Sequence, residues 1–202
     1  MTTRNRKTAT QTCSPTQSIK RGDLRAIVSA YIKDDRPGGE KEFAWYRHRP
    51  NLEESIRVAA LCAVPSKRDS TRLVRHAHQR RVSGHVLSVA AERLVNGMAE
   101  LLKHKSFSLL HDHIKKTLSG LPKIGPLAVY DIATRIGACM TPCIEPEEIY
   151  LHAGTMEGAR RLGLIQNTKT LKTLLRSQLP QEFHVLKPME IEDCLCMYKK
   201  WL

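Results

Sequence analysis

Hydrophobic residues recur at helical spacing through most of the chain. Apolar positions three or four residues apart follow Asp23, Asn51 and Ser83, and these three residue types commonly cap the N-termini of helices. The pattern therefore predicts a helix after each of them. The stretch Arg36-Pro37-Gly38-Gly39 should end the first helix, and a loop is expected from there to Pro50.

Two further predicted helices flank a short hairpin near the middle of the chain. Ser106 or Ser108 is placed to cap the first helix, which should stop at Gly120. Pro126 suits the first turn of the second helix, because proline has no backbone N–H and its φ is already helical. Residues 121–125 form the predicted hairpin between the two.

The signals after residue 142 are weaker. Acidic residues at 145–148 are typical of a helix start, and a helix is expected to continue from them through residue 151. Thr155 is placed to cap a short helix that ends at residue 163. Two more helices are expected, over residues 171–175 and 188–201.

The predicted fold class is all-α. Aromatic residues make up only 5% of the chain, β-branched runs are few, and no segment alternates convincingly as a strand does. Residues 1–22 carry five basic side chains and no acid, so they are expected to form a basic, disordered tail, either solvated or adding phosphate contacts. Residues 23–202 should form a single helical domain.

The net charge points to a polyanionic partner. The chain has 33 Lys and Arg residues against 20 Asp and Glu residues, which gives a formal charge of +13. Nucleic acid, DNA or RNA, is the expected partner; anionic lipid and an acidic protein are the alternatives. No apolar run reaches the ~20 residues that a membrane span requires. The expectation is a cytoplasmic protein, associated with the nucleoid if the source is prokaryotic, with no membrane contact.

The densest positive stretch follows Pro65 and is a candidate DNA-binding surface. Its Lys and Arg residues are Lys67, Arg68, Arg72, Arg75, Arg80 and Arg81. A second basic segment, residues 43–49, interleaves aromatic residues with cations. Those aromatic side chains either stack on bases or fill the edge of a core.

The hairpin Leu121-Pro122-Lys123-Ile124-Gly125 predicts an anion site. A tight turn before a helix leaves backbone N–H groups unpaired at the helix start, where they can bind phosphate. Gly125 would permit close approach of a phosphate, Ile124 would pack into the core, and Lys123 would add positive charge. Such contacts involve no base edge, so the predicted binding is independent of sequence.

Residues 121–136 resemble the helix-hairpin-helix motif, whose usual hairpin reads Leu-Pro-Gly-(Val/Ile)-Gly. In this chain, Lys123 replaces the first glycine of that hairpin. Helix-hairpin-helix DNA glycosylases continue to an Arg-Leu-Gly-Leu segment, and this chain has Arg161-Leu162-Gly163-Leu164 at a compatible distance. The resemblance implies a glycosylase-like helical domain over about residues 50–165, with the helix-hairpin-helix element at 105–138. It also implies a role in DNA repair.

Two departures from the family pattern concern the chemistry. Leu127 occupies the position of the lysine that forms a Schiff base in bifunctional glycosylases, and His152 occupies the position of the catalytic aspartate. Neither can supply the usual chemistry. The leading hypothesis is a sequence-independent DNA-binding protein that lacks this chemistry.

A second hypothesis is that the protein is an active enzyme. His152 would then act with a nearby carboxylate in a glycosylase that cleaves an N-glycosidic bond, and Asp131 is the favoured partner over Glu145, Glu148 and Glu157. Each of these acids also has a structural interpretation: Asp131 as a helix-surface residue, and the three glutamates as acids at helix starts.

A third hypothesis is an adaptor in a nucleic-acid complex. Its protein partner would dock on the apolar C-terminal helix, unless that helix closes the protein's own core.

No metal or other cofactor is expected. His76 and His78, like His111 and His113, are two residues apart, and on an α-helix such side chains point in nearly opposite directions. Neither pair chelates a metal well unless its segment is extended. The cysteine spacings match neither a zinc ribbon nor an iron–sulfur cluster signature.

Overall fold

The structure, a computed structural model, describes residues 19–66, 72–165 and 172–202. The expectation of a mostly helical fold is confirmed. The helices are α1 (Leu24–Ala30), α2 (Arg36–Arg47), α3 (Leu52–Ala60), α4 (Gly84–Asn96), α5 (Met98–Leu101), α6 (Phe107–Thr117), α7 (Pro126–Cys139), α8 (Ala153–Arg161) and α9 (Pro188–Met197). The antiparallel strand pairs are β1 (Ala63–Pro65) with β2 (Leu73–Arg75), and β3 (Ile149–Tyr150) with β4 (Thr173–Leu174).

Three helix starts that the sequence predicts are confirmed by their caps. The backbone N–H of Ala26 donates to Asp23 at 3.0 Å, that of Glu54 to Asn51 at 2.8 Å, and that of Val86 to Ser83 at 3.2 Å. Each side-chain oxygen satisfies an N–H group that has no partner within the helix.

The prediction of a loop over residues 36–50 is wrong, because α2 occupies most of this segment. A π-helical turn, Tyr31–Asp35, joins α1 directly to α2. Pro37 lies in the first turn of α2, where a missing N–H costs no hydrogen bond. Tyr46 is fully buried and donates to the carbonyl oxygen of Ala63 at 2.7 Å, so this ring fills the core and offers no face to a base.

The segment after residue 142 also differs from the prediction. Residues 149–150 pair with 173–174 as strands, although helix was expected at both places. The helix expected to begin at Thr155 begins earlier, with His152 as its N-cap. The prediction that the chain contains no strands is also wrong, because two short strand pairs are present. Runs of two or three residues are too short for periodicity to distinguish strand from helix.

The buried side chains form two clusters. The first lies among α3, α4, α6 and α7, and the second among α1, α8, α9 and the turn at 181–185. Ile191, Leu195 and Tyr198 of the C-terminal segment are buried in the second cluster. The C-terminal helix therefore contributes to the protein's own core.

Close packing of α8 on α9 depends on glycine. A Cβ added at Gly158 would overlap the carbonyl oxygen of Leu195, and one added at Gly154 would overlap the sulfur of Cys196. Hydrogen in place of a side chain lets the two helix backbones approach each other. This contact also fixes the position of α9 beside the cleft described below.

Gly158→Ala should therefore destabilise the protein. We expect the free energy of unfolding to fall by about 1–3 kcal/mol, because the added methyl group pushes α9 away. Gly38→Ala is the matched control: nothing lies within 4 Å of a Cβ added there, in α2, and the change should stabilise by up to about 1 kcal/mol. Chemical denaturation followed by circular dichroism measures both, and equal effects would contradict the packing described here.

Candidate catalytic cleft

A cleft of about 650 Å³ lies between α7 and α9. One wall is a single face of α7, whose residues are spaced three or four positions apart: Leu127, Tyr130, Asp131, Thr134 and Arg135. The opposite wall is a face of α9 with the same spacing: Met189, Glu192, Asp193, Cys196 and Met197. Ionisable side chains thus face each other across an otherwise apolar space.

Three other segments complete the cleft. They are Glu42 and Phe43 of α2, the turn that carries His76 and His78, and residues 151–154 at the start of α8; Lys199, just after α9, also lines the cleft. Asp131 and His152, the two predicted catalytic residues, therefore line the same cleft. Their catalytic roles stay predictions. Leu127, where glycosylases have lysine, lies at the cleft too and brings no nucleophile.

Asp131 is held in an ionised form. Its side chain is only 12% exposed, so the alternative of a solvent-facing helix residue is wrong. Nδ1 of His78 lies 3.3 Å from Oδ2, and the side-chain amide of Gln79 donates to the same oxygen. Burial alone would raise the pKa of Asp131, but the His78 hydrogen bond and the Arg135 charge outweigh it and lower that pKa. The same hydrogen bond raises the pKa of His78.

Arg135 brings a buried positive charge to the cleft. Its side chain is 4% exposed, and Nε donates to Oε1 of Glu42 at 3.1 Å. Burial alone would lower its pKa, but Tyr46, Asp131 and Glu42 raise it overall, so the guanidinium stays charged. Within the described ranges, Nη1 is buried and has no hydrogen-bond partner. Such a donor suits the oxygen of an anionic ligand.

His152 is a neutral imidazole with a free nitrogen. Burial lowers its pKa to about 4, and its ring packs 4.8 Å from the ring of Tyr130. Nε2 of His152 and the hydroxyl of Tyr130 are both buried without a hydrogen-bond partner among the residues described. Unpaired buried polar atoms are rare in folded proteins, and three of them, counting Nη1 of Arg135, belong to residues that line this cleft.

Glu192 and Asp193 were not found by sequence reasoning. Burial raises the pKa of Glu192 to about 8 and that of Asp193 to about 7, which is where a proton acceptor works best at neutral pH. The hydroxyl of Thr155 donates to Glu192, so Thr155, predicted as a cap, instead orients this acid. The available signal was the pair of adjacent acids in the middle of a helix whose remaining residues after Glu190 are apolar.

The turn at residues 76–79 is not α-helical, although α-helical spacing of His76 and His78 was the reason to expect no metal there. It is a 3-10 turn, Ala77–Gln79, with His76 as its extended N-cap. The rings of His76 and His78 are therefore neighbours, with centroids 4.6 Å apart. The premise of α-helical spacing is wrong here, while the expectation that no metal binds stays a prediction.

The predicted phosphate hairpin joins α6 to α7. Lys123 has a φ of +64°, the left-handed conformation that glycine adopts most easily, and it is the position where the usual motif has glycine. Ile124 packs against the first cluster, as expected. A Cβ at Gly125 would meet nothing within 4 Å, and no side chain caps the start of α7.

The predicted basic surface is only partly described. Arg72, Arg80 and Arg81 are exposed. Arg75 donates to the carbonyl oxygen of Val82 and so fastens β2 to the start of α4. Lys67 and Arg68 lie outside the described residues, as does the tail up to residue 18. Whether any of these side chains, Lys123 or Gly125 contacts DNA stays a prediction.

Comparison with known proteins adds one finding. The model of a family described as ADDT, amino acid:DNA transferase, matches residues 81–202, which are 122 of the 202 residues. This match supports a DNA-related function and replaces the glycosylase family that the sequence resembles. No curated protein and no solved structure matches the chain. None of the helices in the described ranges is long and apolar enough to cross a membrane.

Proposed function

The chain belongs to the amino acid:DNA transferase family, and from that premise we propose that it transfers an amino acid onto DNA in the cleft between α7 and α9. The observation that carries the proposal is the composition of that cleft. The matched residues supply α7, α8 and α9, which bring a buried guanidinium, a neutral imidazole and two acids with raised pKa to one space. A zwitterionic amino acid needs a positive charge for its carboxylate and hydrogen-bond acceptors for its amino group, and the guanidinium and the two acids can supply them.

Arg135 is the proposed anchor for the amino acid's carboxylate. Its buried Nη1 has no hydrogen-bond partner among the described residues and would donate to a carboxylate oxygen that enters the cleft, where the low exposure of the guanidinium makes an ion pair stronger than it would be at the surface. On the opposite wall, the carboxylate of Asp193 and the side-chain oxygens of Glu192, which is largely protonated at neutral pH, would bind the amino group. The amino acid would then lie across the cleft, between α7 and α9.

Asp193 is the proposed proton acceptor. Whichever partner supplies the nucleophile, that atom loses a proton as it bonds to the other partner, and a leaving group departs with its electron pair. A carboxylate with a pKa near 7 accepts this proton at neutral pH and can release it afterwards. His152, with its unpaired Nε2, would bind a substrate atom, and Asp131 would hold the turn that carries His78.

DNA is proposed to lie over the cleft. Pro126 and Leu127 of the cleft directly follow the hairpin, and His76 and His78 lie a few residues before Arg80 and Arg81. Phosphates bound at the hairpin and at these arginines would flank the cleft, so one base could enter it. We propose that the hairpin acts as a helix-hairpin-helix element that binds the DNA backbone independently of sequence.

A transfer assay tests the function. Isotope-labelled amino acids, free and as aminoacyl adenylates, are incubated with the protein and DNA. The DNA is supplied with and without a leaving group on a base carbon, because one of the two partners must carry a leaving group. Nucleosides from the digested DNA are analysed by mass spectrometry. We expect a nucleoside heavier by the labelled amino acid residue. Its absence for every combination, with DNA binding intact, would contradict the proposal.

The substitution Lys123→Gly tests the hairpin, because it should raise the stability of the protein and weaken its binding to DNA. Glycine adopts a positive φ without strain, so the melting temperature should rise, by the equivalent of about 1 kcal/mol. One lost phosphate contact should reduce the slope of log affinity against log salt by about 0.9. Lys115→Gln is the control for charge, since Lys115 is exposed on α6. An unchanged slope for Lys123→Gly would remove Lys123 from the DNA contact.

A further inference from the structure

Three side chains that can bind a metal ion meet in the cleft. Ligand atoms of His76, His78 and Asp131 all lie within 4.8 Å of one another, and no second group of this kind occurs in the part of the chain that the structure describes. All three residues line the cleft. Two imidazoles and one carboxylate are the protein ligands of a common class of catalytic zinc site, in which a further position stays open for substrate or water.

We propose that His76, His78 and Asp131 bind a divalent transition-metal ion of the zinc type, with its open positions facing the cleft. The separations fit this size of ion. Two ligand atoms at about 2.1 Å from one zinc ion lie about 3.4 Å apart in tetrahedral geometry. Nδ1 of His78 and Oδ2 of Asp131 are already 3.3 Å apart.

Neighbouring groups hold these ligands in place. The side-chain amide of Gln79 donates to Asp131. The backbone N–H of His78 donates to Nδ1 of His76 at 3.3 Å, and a metal ion bound at Nδ1 would replace that hydrogen bond. Oε2 of Glu42 lies 3.9 Å from Nε2 of His76. Metal-binding histidines and carboxylates are usually oriented by such contacts. The nearby charge of Arg135 is offset by its ion pair with Glu42.

A metal ion at this place would act on the substrate directly. It would bind an oxygen or nitrogen atom in the cleft, and its charge would favour the deprotonated form of that atom or stabilise a departing anion. The inference goes beyond the proposed transfer and does not depend on it, because the ligand set would bind metal whatever the reaction.

Cobalt binding tests the site. The full chain is freed of metal with a chelator and titrated with Co²⁺, whose visible absorption reports coordination geometry. We expect one equivalent to bind with d–d bands typical of four or five ligands, and Zn²⁺ to displace it. His78→Ala, His76→Ala and Asp131→Asn should each weaken binding at least about tenfold. Zn²⁺ should raise the melting temperature of the unaltered protein and not that of these variants.

The matched control is a second histidine pair. The ring centroids of His104 and His113 lie 4.9 Å apart, only slightly farther than the 4.6 Å between those of His76 and His78. They belong to no metal-binding group of three in the described ranges. His104→Ala and His113→Ala should leave cobalt binding unchanged. No stoichiometric binding, thiolate charge-transfer bands that indicate cysteine ligands, or full binding by the Asp131→Asn and His78→Ala variants would each overturn the proposal.

Discussion

Asp193→Asn should abolish most of the transfer activity. We expect the rate to fall on the order of 100- to 10,000-fold, because asparagine keeps the shape of the side chain and cannot accept a proton. The rate of the unaltered protein should rise with pH through about 7, since burial raises the pKa of Asp193 to that value and only the carboxylate form is active. The variant should lack this rise.

The nucleoside assay across a pH series measures both effects, with DNA affinity measured beside it. Asp112→Asn is the control, because the Asp112 side chain is 74% exposed on α6, away from the cleft walls. It should leave the rate and the pH profile unchanged. If Asp193→Asn retained full activity with the same rise near pH 7, another group would be the proton acceptor.

Gly125→Trp should abolish DNA binding without unfolding the protein. The backbone at Gly125 is extended, with a φ of −96°, and a Cβ there would meet nothing within 4 Å. The fold can therefore accept a side chain at this position. An indole ring, however, would fill the space where a phosphate approaches the start of α7, and we expect affinity to fall on the order of 100-fold.

Leu109→Trp is the control for this variant. Leu109 is 56% exposed and lies near the start of α6, at the opposite end of that helix from the hairpin. Fluorescence anisotropy with a labelled duplex gives the affinities, and thermal denaturation checks the fold. Equal affinities for Gly125→Trp and Leu109→Trp would show that DNA does not approach the hairpin.

Features specified by a few neighbouring residues could be predicted from the sequence. The helix starts at Asp23, Asn51 and Ser83 depend on one cap and the apolar spacing after it, so they were predicted correctly. The helix α2 was missed because proline and glycine usually break helices. In the first turn of a helix their cost is small, and the π-helical turn before it carries the chain onward.

The cleft could be predicted only in part. Asp131 and His152 were named for their positions near the hairpin and in the glycosylase-like pattern, and the structure places both in the cleft. Glu192 and Asp193 lie far along the chain and reach the cleft only through the packing of α8 on α9. Their raised pKa values come from burial, which no local pattern specifies.

The proposed function requires that a DNA base enter the cleft, and crosslinking tests this directly. DNA that carries 5-iodouracil is crosslinked to the protein by ultraviolet light, and the adducts are mapped by mass spectrometry of peptides. We expect adducts on cleft residues, above all His152 and Met189, and their loss in Gly125→Trp. Adducts confined to peptides outside the cleft, such as the exposed face of α6, would contradict the proposed function.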